Sequence, residues 1–121
     1  MPNRRPVLIV EDVEEITTGM RQLLNRHGHR VIRATDAEQA MQIAEHDHPA
    51  MILTDMDLPS FDLLMKLVRE HARFSKMVVA ILDMNGPQVA DSSVKVLSDY
   101  DALDSLMTAM PNTLQTPDHM S

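Results

Sequence analysis

The apolar positions of the chain alternate between two kinds of spacing. Val7-Leu8-Ile9-Val10 is a short, wholly apolar, β-branched run, the pattern of a strand buried on both faces. Glu11-Asp12 ends it. From Val13 the apolar residues fall at Val13, Ile16, Met20, Leu23 and Leu24, which is one stripe of a helix, with Glu14 and Glu15 in the first turn where the helix dipole favours anions. Gly28 supplies a stop. Val31 and Ile32 predict a short second strand. Thr35 and Glu38 have capping-box spacing and open a second helix through Ala37, Ala40, Met41 and Ala44.

The alternation continues. Pro49 precedes a third strand, Met51 to Thr54, which ends at Asp55-Met56-Asp57-Leu58-Pro59. A third helix carries Leu63, Leu64, Leu67 and Val68, with Lys66, Arg69, Arg73 and Lys76 on its other face. A fourth strand runs from Met77 to Leu82, and Asn85-Gly86-Pro87 is a turn signal. Val94 to Leu97 reads as a fifth strand and Asp101 to Met110 as a last helix. The interval from Leu82 to Ser98 is one to two turns too short for a full helix and its loops, so a fourth helix is shortened or missing. Residues 1–110 form one domain on this reading and 111–121 a flexible C-terminal tail.

Strands alternating with helices predict an α/β fold of βαβ units around a parallel sheet. Right-handed crossovers and five strands fit a doubly wound, flavodoxin-like sheet of order 2-1-3-4-5. In such sheets the site lies beyond the carboxyl ends of the first and third strands. Those ends carry Glu11, Asp12 and Asp55. Two unit charges about 4 Å apart repel by roughly 4 kcal/mol at an effective dielectric of about 20. Three converging carboxylates therefore call for a cation or for raised pKa values. A few carboxylates plus water suit Mg²⁺.

Composition narrows the function further. Formal charge is −7, and residues 77–121 hold six acidic groups against one base, Lys95. Bulk charge gives no attraction to nucleic acid or to an anionic membrane. One Tyr, two Phe and no Trp exclude an aromatic stacking platform. The absence of Cys excludes thiolate zinc sites and cysteine nucleophiles and suits a reducing cytoplasm. The only glycines are Gly19, Gly28 and Gly86, so no Gly-rich phosphate loop exists. The apolar run after Arg4 and Arg5 is too short for a signal peptide or a membrane span.

Several stretches together resemble the receiver domain of two-component response regulators. Val7 to Asp12 is similar to that family's first strand and acidic pair. Gly28-His29-Arg30-Val31 resembles the turn into its second strand, and Ala34 to Met41 the opening of its second helix. Pro49 to Pro59 is similar to the stretch around the phospho-accepting aspartate. The likeness covers roughly the first 60 residues, in order. It implies that Asp55 accepts the phosphoryl group. It implies Mg²⁺ held by Asp12, Asp55 and the backbone carbonyl of Asp57, with Glu11 supporting through water. It also implies a stand-alone, cytoplasmic signalling module rather than an enzyme. A histidine kinase or phosphotransfer protein would donate the phosphoryl group, and a downstream protein would receive the output in trans.

The second half departs from the family pattern. The hydroxyl residue that ends the fourth strand of receivers aligns with Leu82, and the small residue after it with Asp83. The lysine that ends the fifth strand aligns with Ser98, and the switch aromatic with Lys95. Acceptor and metal residues are kept while switch residues are changed. Two readings follow: a phospho-accepting receiver with atypical output, or a pseudo-receiver that binds a partner without phosphorylation.

Other features have plainer explanations. Asp55-Met56-Asp57 also resembles the first motif of haloacid-dehalogenase-type phosphatases. That family places it on the first strand and needs further motifs over a longer chain, and only 64 residues follow Asp57. His46 and His48 lack a third ligand at a sensible spacing. Lys66, Arg69, Arg73 and Lys76 read as a solvated helix face, and most of the 11 Met residues as core.

Overall fold

A computed structural model describes residues 5–84, 89–90 and 94–109. Its elements run β1 (Val7–Val10), α1 (Glu14–Arg26), β2 (Val31–Ala34), α2 (Ala37–Asp47), β3 (Met51–Asp55), α3 (Phe61–Glu70), β4 (Val78–Leu82), β5 (Val89–Ala90), β6 (Val94–Leu97) and α4 (Tyr100–Ala109). The strands form one sheet in the order β2-β1-β3-β4-β6-β5. Five are parallel, and these are the five read from the sequence, β6 being the expected fifth. The sixth is the two-residue β5, which pairs antiparallel with β6 through Val89↔Val96 and Ala90↔Lys95. Among the described residues no helix joins β4 to β6. The Asn85-Gly86-Pro87 turn, Met110 and the 111–121 tail lie outside the described residues.

Period-two alternation sends successive strand residues to opposite faces, and each face has its own core. Val7, Ile9, Met51, Leu53, Ala80, Leu82 and Leu97 pack under α1 and α4, against Met20, Leu24, Leu103 and Met107. Leu8, Val10, Ile52, Val79 and Ile81 pack under α2 and α3, against Ala37, Ala40, Ala44, Leu64 and Val68. The whole of β1 is sealed from solvent. That is why its sequence is a continuous apolar run rather than an alternating one. Alanines on the inner face of α2 let that helix lie close to the sheet.

Local chemistry sets the element ends. Gly28, at φ 81°, follows α1. Its N–H donates to the Asn25 carbonyl (2.9 Å) and the His29 N–H to the Leu24 carbonyl (3.1 Å). These two bonds are the Schellman pattern, and the left-handed residue they require is cheapest as glycine. The cap of α2 lies one residue later than the sequence spacing indicates. Asp36, not Thr35, accepts the Gln39 N–H (2.8 Å), and Gln39 Oε1 accepts back from the Thr35 N–H (2.7 Å). A shorter carboxylate at Asp36 takes the N-cap role that Thr35 was expected to fill. The basic stripe also breaks: α3 stops at Glu70, so Arg73 and Lys76 lie beyond the helix, and Leu63 stays 41% exposed.

Candidate functional site

The site is assembled at the carboxyl ends of β1, β3, β4 and β6. Pairing registers Val10 with Thr54, Asp55 with Leu82, and Leu82 with Leu97. The buried Thr54 hydroxyl donates to the Val10 carbonyl (2.9 Å), tying the two strand ends that carry the acids. Beyond Asp55 the backbone turns at once. The Met56 N–H donates to the Leu82 carbonyl (2.9 Å) and the Leu58 N–H to the Asp55 carbonyl (3.0 Å), while the Leu58 side chain is buried beneath the turn. The turn therefore has an apolar anchor and fixed hydrogen bonds.

Four carboxylates expected at the site come from two loops. Glu11 is 1% exposed. Its Oε2 accepts from the Val13 N–H (2.9 Å), whereas its buried Oε1 has no hydrogen-bond partner among the described residues. Asp12 beside it is exposed. Asp55 is 8% exposed, and its Oδ1 accepts from the Asp57 N–H (2.8 Å). Asp57 itself is exposed. Arg33 at the edge donates to the Glu11 backbone carbonyl (3.1 and 3.3 Å) and pairs with Glu14 (2.6 Å). Its charge is directed at Glu14, not at the Glu11 carboxylate.

Burial pushes the Glu11 carboxyl up to about 7. The Val13 N–H opposes the rise, and the Asp12 side chain and the Asp55 charge add to it. Burial also raises Asp55. The Asp57 N–H opposes this rise, and the charges of Asp57, Asp83 and Asp12 reinforce it. Tyr100 is shifted up too, first by burial and then by Asp55 and Glu11. Six residues thus share one electrostatic neighbourhood.

The donor chemistry fits a hard cation. Glu11 Oε1 is buried and unpaired, and acids that raise one another's pKa are relieved by positive charge. Among the described residues no three carboxylate or imidazole side chains stand close enough to hold an ion jointly. Mg²⁺ does not demand that, since it keeps several waters and binds through one or two carboxylates.

Of the altered positions, Leu82 and Asp83 adjoin Asp55. Leu82 lies opposite it in the ladder and is 1% exposed. Asp83 follows, its N–H donating to the Leu97 carbonyl (2.8 Å). Ser98, half-buried, comes directly after Leu97 at the end of β6. Lys95 pairs with Ala80, two residues short of the strand end on the Leu97 face.

Sequence reasoning missed Tyr100. It begins α4, and its hydroxyl stands 3.0 Å from where a Cβ on Gly19 would lie. The side-chain pair His27–Asp104 (2.8 Å) joins the same two helices further along. That Tyr100 is the one tyrosine of the chain was the only signal available.

Comparison with known proteins agrees with this geometry. The model of the response regulator receiver domain matches residues 7–107. The alkaline phosphatase synthesis transcriptional regulatory protein PhoP of Bacillus subtilis is 40% identical over 58 residues, 48% of this chain and 24% of the relative. The chain therefore spans about a quarter of that protein's length. Among solved structures, the receiver domain of the sensor histidine kinase PA1611 from Pseudomonas aeruginosa, which has a magnesium ion coordinated in its active-site cleft, superposes with TM-score 0.73 at 22% identity. It covers 88% of this chain and 96% of that one. The pseudo-receiver domain of the CikA protein superposes with TM-score 0.69 at 26% identity, covering 89% and 95%. The acidic crevice, the sheet order and the family match over residues 7–107 agree: the chain belongs to the response regulator receiver domain family of two-component signalling.

Proposed function

We propose that this receiver accepts a phosphoryl group on Asp55 and transmits it with an atypical output. The observation that carries the reading is the state of Asp55. One carboxylate oxygen is fixed by the Asp57 N–H, and the other makes no hydrogen bond among the described residues. A carboxylate held this way has one oxygen oriented and one available as nucleophile. Its attack forms an O–P bond as the bond to the donor's leaving group breaks. A histidine kinase or phosphotransfer protein is the donor proposed for it in the cell.

Glu11, Asp12, Asp55 and the Asp57 carbonyl are the groups that would hold Mg²⁺. The ion, when bound, neutralises charge on the transferring oxygens.

The atypical output follows from Leu82, Asp83 and Ser98. A hydrogen bond to a charged group contributes about 1.5–3 kcal/mol. Moving a population from about 1:99 to 99:1 takes roughly 5.5 kcal/mol. Leu82 has no hydroxyl to follow a phosphoryl oxygen, and Ser98 has no positive charge. Asp83 adds repulsion to a group of about −1.5 to −2 charge. The differential interaction that drives a switch is therefore reduced.

The second reading, a pseudo-receiver that works without phosphorylation, is favoured by the same altered positions and by likeness to the CikA pseudo-receiver. Amide shifts with a phosphoryl mimic and Mg²⁺ separate the two. The proposal expects shifts at Asp12, Asp55 and Met56, lost in Asp55→Asn, with little change from Lys95 to Ala109. No shift at Asp55 favours the pseudo-receiver. Large shifts through β6 and α4 contradict the reduced output.

A further inference from the structure

At the amino ends of the strands, opposite the acids, three segments enter the sheet side by side: Arg5-Pro6 before β1, His48-Pro49-Ala50 before β3, and Phe74 to Met77 before β4. The Ala50 N–H donates to the Pro6 carbonyl (2.9 Å) and holds the first two together. They enclose a cavity of about 410 Å³ lined by Arg5, His48, Pro49, Arg73, Phe74 and Met77. Its volume lies within the range of small-molecule sites.

The charge of this cavity is the reverse of the molecule's. In a chain of net charge −7 the lining holds two guanidinium groups, one imidazole and no carboxylate. Neither Arg5 nor Arg73 has a carboxylate partner among the described residues. Glu45 is engaged instead by His71 (3.0 Å).

The groups are also held in place. Arg73 lies over the Phe74 ring, 5.4 Å from its centroid, and that ring is stacked on His71 at 4.2 Å. An Arg73 N–H points at His48 Nδ1 (3.3 Å). A guanidinium can only donate, so Nδ1 accepts and the ring proton resides on Nε2 as a further donor. His48 is the one non-glycine residue at positive φ (51°) among the described residues. A glycine or asparagine is the usual occupant of that helix-ending position.

We propose that this cavity is a binding site for a small organic phosphate. Arg5, Arg73 and His48 take the phosphate monoester, and Pro49 and Met77 form the apolar wall for its organic part. Guanidinium forks match phosphate oxygens in pairs, which favours this class of anion.

The test is an amide-shift titration of the full chain with inorganic phosphate and with phenyl phosphate, at ionic strength held constant with chloride. Saturable shifts at His48, Ala50 and Met77 are expected, tighter for phenyl phosphate, and at least tenfold weaker in Arg73→Gln and Arg5→Gln. Both arginines are exposed, so both variants should stay folded, with melting midpoints within roughly a few degrees of the native one. In His48→Gly, binding should weaken while the melt is no lower, a combination that loss of folding cannot produce. Shifts that stay linear, or saturable shifts that persist in both arginine variants, would overturn the site. Sedimentation with vesicles containing phosphatidylinositol phosphate, without a saturable response to phenyl phosphate, would overturn the free-ligand reading in favour of a lipid headgroup.

Discussion

Leu82 sits directly across the β3–β4 ladder from Asp55, with its side chain buried in the core beneath α1 and α4. A residue that can only pack is thus the ladder partner of the carboxylate proposed as phosphoryl acceptor. Leu82→Thr should exchange one property for the other. Removing buried methyl groups and adding a hydroxyl lowers stability by about 2–4 kcal/mol. With a phosphoryl mimic and Mg²⁺ the new hydroxyl should then enlarge the amide shifts at Asp83 and Leu97 relative to the native chain. Unchanged shifts in a folded Leu82→Thr protein would show that the hydroxyl is not what this site lacks.

Glu11 makes stability depend on pH in an unusual direction. Its folded value of about 7 is above the ordinary 4.5, so the folded state binds more protons between those values. Stability therefore falls as pH rises through that window, with at most about 3–4 kcal/mol from this group, and levels off above it. Asp55 contributes with the same sign. Urea midpoints between about pH 5 and pH 7.5, without divalent cations, should decline in the native chain and decline less steeply in Glu11→Gln. A rising midpoint over that range would contradict the assignment.

Mg²⁺ should stabilise the fold, because an ion that binds only the native acids shifts the unfolding equilibrium. Thermal midpoints should rise with millimolar Mg²⁺ at neutral pH and should respond much less in Asp12→Asn. An unmoved native midpoint would leave the carboxylates without their proposed partner.

Gly19 lies inside α1, where alanine would ordinarily add about 0.8–1 kcal/mol. Here the new Cβ would meet the Tyr100 hydroxyl at 3.0 Å and its ring at 3.3 Å. Gly19→Ala should gain little or nothing alone and recover the gain, to within about 0.5 kcal/mol, in a Tyr100→Leu background. Full additivity in chemical denaturation would show that Tyr100 does not rest on Gly19.

The residues explain which features could be read from the chain alone. Val7 to Val10 announces a strand because both its faces are buried. Gly28 announces a helix end because the turn needs positive φ. The acids at 11, 12 and 55 converge by topology, which strand order supplies. Contacts between distant positions are different. Tyr100 against Gly19 and His27 against Asp104 depend on how α4 lies on α1, and no local pattern encodes that. Val89–Ala90 has two residues, too few for any period to show. The second strand extends past Ile32 to Ala34, because the charged Arg33 finds the Glu11 carbonyl and Glu14 at the sheet's end.

The most direct measurement is the intact mass of the chain after incubation with a small phosphodonor and Mg²⁺. One phosphoryl adduct is expected on the native protein, none in Asp55→Asn, and an undiminished adduct in Asp57→Asn. A native chain that stays unmodified under conditions that label an ordinary receiver, or a phosphoryl group mapped to Asp57, would contradict it.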